Sequence, residues 1–146
     1  MSKPALIFDL DGTLIDSAPD LQCMANDILV ATGCAPLTLV EARSFIGNGA
    51  SVFVERMCLS RDIPVEEHGA ILKNFLQAYE TAVEHTQLYP GVLNCLELLS
   101  DAGHPLGLCT NKPAQPTQAV LSHFKIIDFF SVIVAGDTTD AHKPDP

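Results

Sequence analysis

Short apolar runs alternate along this chain with stretches whose apolar residues recur at helical spacing. Ala5-Leu6-Ile7-Phe8-Asp9-Leu10 is an apolar run that ends in acid, and Asp11-Gly12 follows it at once as a turn signal. It reads as a buried strand, apolar on both faces as in a parallel sheet. After Pro19, the segment Asp20 to Thr32 carries Leu21, Met24, Ala25, Ile28 and Leu29 on one stripe, and Gly33 stops it. Further helical patterns cover Thr38 to Phe45, Ala50 to Leu59, and Val65 to about His85, the last with Ile71, Leu72, Phe75, Leu76, Tyr79 and Val83 on one stripe. Tyr89-Pro90-Gly91 then punctuates the chain. A helical pattern over Val92 to Ala102 leads through Gly103 to the apolar run Pro105 to Cys109. Lys112-Pro113 opens another helix through about His123, and Ser131 to Ala135 is a third apolar run before Gly136-Asp137. Strands alternating with helices predict an α/β fold with a Rossmann-like parallel sheet and right-handed crossovers. The segment 16–87 reads as an all-helical insertion after the first strand, and 1–15 with 88–146 as the discontinuous sheet unit.

In such a sheet, ligands bind beyond the C-terminal strand ends, where neighbouring crossovers part. Those ends carry Asp9 and Asp11, then Thr110 and Asn111, then Gly136 and Asp137 with Lys143 shortly beyond. Asp9 and Asp11 need not point oppositely, because the chain leaves the extended form at Asp11-Gly12. One carboxylate can attack phosphorus while a second carboxyl protonates the leaving oxygen and later takes a proton from water. Gly12 permits close approach of backbone amides to a phosphoryl group, and Thr13 adds a hydroxyl. Taken alone, D-x-D-G reads first as an ordinary turn.

Length, charge and cysteines narrow the classes. The 146 residues, 47% of them hydrophobic and 18% charged, suffice for about one domain with a real core, which excludes disorder as the main state. Lys and Arg number 8 against 18 Asp and Glu, and the net charge of -10 repels a phosphate backbone, so nucleic acid is not an expected partner. No apolar run approaches the roughly 18 residues of a membrane span, so no membrane partner is expected. The Met-Ser-Lys-Pro start and the interrupting Asp9 and Asp11 do not resemble a signal peptide, so a cytoplasmic location is expected. The five cysteines form no C-x-x-C pair and read as reduced, mostly core-filling thiols. The five histidines show no metal-ligand spacing.

The string Phe8-Asp9-Leu10-Asp11-Gly12-Thr13-Leu14 resembles the first motif of the haloacid dehalogenase superfamily of phosphohydrolases. Thr110 in Leu108-Cys109-Thr110-Asn111 matches its second motif, and Lys143 in His142-Lys143-Pro144-Asp145-Pro146 matches its third. The insertion then resembles that family's small helical cap. Asp16-Ser17-Ala18-Pro19-Asp20, the cap loop Ile46-Gly47-Asn48-Gly49-Ala50, the Tyr89-Pro90-Gly91-Val92 re-entry and Thr110-Asn111-Lys112-Pro113 are similar to the phosphoglycolate phosphatase branch. The resemblance implies a magnesium-dependent phosphomonoester hydrolase acting on a small phosphorylated metabolite, with 2-phosphoglycolate first and a sugar phosphate as alternative. It implies Asp9 as nucleophile and metal ligand, and Asp11 as acid and base with its main-chain oxygen on the metal. Thr110 would donate to the phosphoryl oxygens and Lys143 would neutralise charge beside Asp9. Gly12, Thr13 and Asn111 complete the expected substrate site, with Arg43, Gly47, Asn48 and Gly49 expected to meet a substrate carboxylate. A carbon–halogen bond needs no acid for its leaving halide, so Asp11 argues against dehalogenation. Lys73, the lone cap lysine, lies on the exposed side of its helical pattern, which argues against Schiff-base chemistry on a phosphonate.

Family members continue past this point with a helix and a strand ending in a fourth, acidic motif, which does not occur before Pro146. The resemblance therefore implies a core incomplete at its C-terminus, impaired catalysis in the 146-residue chain, and a first strand left at a sheet edge, open to self-association. A catalytically impaired association module is the reading from another class.

Overall fold

In the computed structural model, residues 3–145 are described; Met1, Ser2 and Pro146, which belong to the terminal strings quoted above, lie outside them. Strand β1 (Leu6–Phe8) is followed by a short β2 (Ile15–Asp16) and four helices: α1 (Ala18–Ala31), α2 (Leu39–Phe45), α3 (Ala50–Leu59) and α4 (Val65–Tyr79). The chain returns through β3 (Gln87–Leu88) to α5 (Val92–Asp101), β4 (Leu106–Cys109), α6 (Ala114–His123), a 3-10 turn and β5 (Val132–Val134).

Local chemistry sets these limits. Thr38 caps α2 by accepting from the Glu41 amide while the Glu41 carboxylate accepts from the Thr38 amide, a reciprocal box that satisfies donors the helix cannot. The Asp137 carboxylate accepts from the Ala114 amide and so starts α6. Helix α4 stops at Tyr79, short of the expected His85. The physical reason is Asp20, buried in α1, whose carboxylate accepts from the amides of His85 (3.0 Å) and Thr86 (2.7 Å) and from the Thr86 hydroxyl. Those amides are thus withdrawn from any helix, and Gln87–Leu88 pairs instead antiparallel with β2. The β2–β3 pair, unmarked in the sequence by any turn signal, ties the outgoing and returning segments together.

The β1, β4 and β5 strands form a parallel sheet in the order β1-β4-β5, as the alternating pattern predicts. Leu6, Phe8, Leu106, Leu108 and Ile133 pack into one cluster with Val92 and Leu96 of α5 and Val120 and Leu121 of α6. Residues of α1 to α4 build a separate cluster around Phe53, Met57 and Phe75. Val83, expected on the α4 stripe, packs instead against the sheet cluster.

The expectation of a β1 buried on both faces does not hold. Ile7 points to the opposite face from Leu6 and Phe8 and is 67% exposed, and Val132, on the same face as Ile7, is 58% exposed. Among the described residues only one side of the sheet is fully packed, and β1 pairs on one edge alone, with β4. The cysteines also differ from expectation: Cys58 is buried, but Cys23 and Cys95 lie on exposed helix faces and Cys34 and Cys109 are half-buried. Helix surfaces tolerate a small thiol, so composition alone does not place it inside.

Candidate active site at the strand ends

The ends of β1 and β4 open into a narrow cleft, with Asp9, Asp11, Thr110, Asn111 and Lys112 on the sheet side. The loop before α3 and the end of α4 contribute Gly47, Gly49 and Tyr79 from the helical side. A wider mouth adjoins it and shares Gly49, Ala50, Tyr79 and Asn111.

Beyond β1 the chain turns sharply. Gly12 takes φ +79, a left-handed value that a side chain would strain, and the Thr13, Leu14 and Ile15 amides all donate to the Leu10 carbonyl. This turn brings Asp9 and Asp11 to the same cleft. The Leu10 amide and the Lys143 ammonium, at 2.8 and 2.9 Å, both bind Oδ1 of Asp9. Lys143 also donates to the Cys109 carbonyl, and Asn111 clasps its backbone from both sides, accepting from the Lys143 amide and donating to the Lys143 carbonyl. Thr110 is buried, and its hydroxyl oxygen accepts from the Lys112 amide, which leaves its proton for donation to a ligand.

Other expected residues are placed elsewhere. Gly12 and Thr13 are exposed and absent from the cleft lining, and their amides are used within the turn, Gly12 donating to the Ile15 carbonyl and Thr13 to the Leu10 carbonyl. Arg43 does not reach the cleft, because its guanidinium is paired with Asp16 at 2.8 Å on the surface. Asn48 lines the outer mouth. Gly47 does meet the sheet unit, its carbonyl accepting from Asn111 Nδ2.

Lys112, Tyr79 and Ser17 form a buried group that the sequence reading missed. The Lys112 ammonium donates to Asp11 Oδ1 (3.2 Å) and to the Tyr79 hydroxyl (2.6 Å) and lies 4.4 Å from the centre of the Tyr79 ring. Ser17 donates to the same Asp11 oxygen at 2.5 Å. Burial works against the Lys112 charge, but the Tyr79 and Asp11 oxygens outweigh it and hold the lysine protonated well above the ordinary range. Burial pushes the Tyr79 phenol up to about 12 despite the neighbouring ammonium, so it stays neutral at physiological pH. The available signals were faint: a lysine directly after two polar strand-end residues, and a tyrosine, which carries a polar handle, on an otherwise apolar stripe.

The family profile described as haloacid dehalogenase-like hydrolase matches residues 6–146. The chain belongs to that family. Among its curated relatives, the phosphoglycolate phosphatase of Rhodobacter capsulatus is 44% identical over 147 residues, covering 98% of this chain and 66% of that protein. Phosphoglycolate phosphatase 1 of Pseudomonas aeruginosa is 39% identical and is covered over 53% of its length. A solved structure of a predicted phosphoglycolate phosphatase from Haemophilus somnus superposes with a TM-score of 0.88 at 33% identity, covering 99% of this chain and 68% of that one. The chain thus spans about two-thirds of the Rhodobacter relative and about half of the Pseudomonas one.

Proposed function

We propose that this chain carries the catalytic groups of a magnesium-dependent phosphomonoester hydrolase, with 2-phosphoglycolate as substrate. One observation carries the reading: two carboxylates and a buried hydroxyl, from the ends of β1 and β4, converge at a cleft beneath the helical unit, and the Lys143 ammonium is bound to one of those carboxylates. Segment 16–87 acts in this reading as a cap over the substrate, with 1–15 and 88–146 as the core. The names of the relatives support the choice of substrate.

Charge and geometry assign the steps. Oδ1 of Asp9 is held by Lys143 and the Leu10 amide, leaving Oδ2 to attack phosphorus. As the bond from Asp9 to phosphorus forms, the ester oxygen leaves with its electron pair and takes a proton from Asp11. Asp11 then removes a proton from water, whose oxygen attacks phosphorus and releases Asp9 and inorganic phosphate. Thr110 donates to the phosphoryl oxygens and Lys143 offsets their charge.

Among the described residues no group of three or more His, Cys, Asp or Glu is placed to hold a metal unaided. Two hard oxygen donors from Asp9 and Asp11 nevertheless suit magnesium, which binds through one or two carboxylates plus substrate phosphate and keeps several waters. The Asp9 carboxylate and the Asp11 main-chain carbonyl would hold it, and when bound it supplies positive charge against the phosphoryl oxygens. Among the described residues no helix is long and apolar enough to cross a membrane, and the five cysteines are free thiols. A reducing, cytoplasmic location is part of the same proposal.

The test is phosphate release by the purified chain with magnesium, on a panel led by 2-phosphoglycolate and including sugar phosphates, with Asp9→Asn as control. Magnesium-dependent release that favours 2-phosphoglycolate and falls to background in Asp9→Asn is expected. Release favouring a sugar phosphate would move the substrate; none from folded protein would favour the second reading, an association module, which the open β1 edge supports.

A further inference from the structure

The reaction as described uses neither Tyr79 nor Lys112, yet they are among the most enclosed polar groups in the molecule. Lys112 follows β4 on the sheet side and Tyr79 ends α4 within the helical cluster, so the 2.6 Å bond between them ties that cluster to the end of β4 at the cleft. Lys112 also touches Asp11, whose Oδ1 it shares with Ser17. On the helical side Tyr79 is no loose tether. Its ring packs 5.6 Å from Phe75, Phe75 stacks 5.3 Å from Phe53, and Phe53 meets Phe45 at 6.0 Å. A column of aromatic rings therefore fixes the hydroxyl to the centre of the helical core, and a rigid-body shift of that unit moves the Lys112 partner with it.

We propose that Tyr79 and Lys112 are positioning residues, which set the Asp11 carboxylate in its working orientation only while the helical unit is seated on the sheet unit. This rests on the reading of Asp11 as the proton-transferring group. An ammonium has three donors and no freedom to leave a buried carboxylate unpaired without cost. With Tyr79 in place, two of those donors are fixed, and the stem of Lys112 has one position from which Asp11 is reached. When the helical unit lifts, the lysine loses the phenol oxygen and the aromatic face at once. Its ammonium is then free to swing towards solvent, and Asp11 keeps only Ser17. Proton transfer is thereby tied to closure, which excludes water from the cleft at the moment the acid is correctly placed.

The chain holds two tyrosines and no tryptophan, which gives a direct readout. In the full chain labelled with 3-fluorotyrosine, fluorine NMR yields two signals, assigned with Tyr89→Phe. The Tyr79 signal is expected to move in Lys112→Met, and also in Asp11→Asn and Ser17→Ala, neither of which alters a group touching the phenol, while Tyr89 stays in place. In turnover, Tyr79→Phe and Lys112→Met are expected to lower kcat by roughly 100-fold with KM little changed, as for a misplaced catalytic group, and Lys112→Arg to recover part of it. A Tyr79 signal indifferent to Asp11→Asn and Ser17→Ala would overturn the proposal. So would Tyr79→Phe and Lys112→Met variants that turn over like wild type. Should the wild-type chain release no phosphate, the phosphatase reading falls, and the fluorine signals alone decide whether Tyr79 and Asp11 are coupled.

Discussion

At the scale of single residues, the cleft depends on close backbone contacts as much as on charged groups. Gly136, which follows β5, lies against the strand-end peptide that carries Asn111: a Cβ there would stand 2.1 Å from the Asn111 carbonyl oxygen and 2.7 Å from its carbon. Both are backbone atoms and cannot rotate away. Gly136→Ala is therefore expected to destabilise the fold by about 3 kcal/mol, read as a lowered melting temperature, and to displace Asn111 from Lys143. Of the candidate site residues, Asp9 and Asp11 were legible because they follow an apolar run that ends in a turn signal, whereas Thr110 and Lys143 stood out only through the family resemblance. Lys112 was not legible. Its position after Asn111 and before a proline fits a helix start, and only the arrival of Tyr79 from a segment 33 residues earlier makes it a buried partner of Asp11.

Elements follow local rules where both partners lie close in sequence. Helix α2 starts at Thr38 because Thr38 and Glu41 satisfy one another, and Arg61 then grips the same carboxylate with two nitrogens at 3.0 and 3.2 Å. The Arg61 guanidinium, with the Thr38 amide and hydroxyl, lowers the Glu41 pKa from 4.5 to about 2. A carboxyl lowered in the folded state adds stability above its unfolded value and loses it as pH falls, so this contribution should fade between 4.5 and about 2. Melts over that range are expected to show a shallower acid decline in Glu41→Gln than in wild type; equal slopes would refute the assignment. The α4 boundary shows the opposite case. Its stripe runs on to Val83, but Asp20, 65 residues earlier, claims the His85 amide and ends the regular pattern. Periodicity reports which face is apolar, not which amides a distant carboxylate will take.

For the whole molecule, the sheet has one packed face and one open one. Ile7 and Val132 leave an apolar strip on the open side, and the outer edge of β1 offers unpaired peptide groups beside it, conditions that favour pairing with another strand. The 146-residue chain is expected to self-associate, with a dimer fraction that grows with concentration in sedimentation velocity, and Ile7→Lys to suppress it. A monomer at every concentration would remove the β1 edge as an association surface. On the packed face the sheet cluster takes its cover from α5, α6 and the 3-10 turn, and Leu10, Leu96 and Leu121 are fully enclosed there.

Spacing and turn chemistry within a few residues were enough for the alternation of strands and helices, the parallel sheet and the carboxylates that follow the first strand. Tertiary structure alone decided that Arg43 is spent on Asp16, that the Gly12 and Thr13 amides are used within their own turn, and that Lys112 joins Tyr79 to Asp11. A hydrogen bond or ion pair across dozens of residues is fixed by where two packed units bring their surfaces together, and no local pattern encodes that distance.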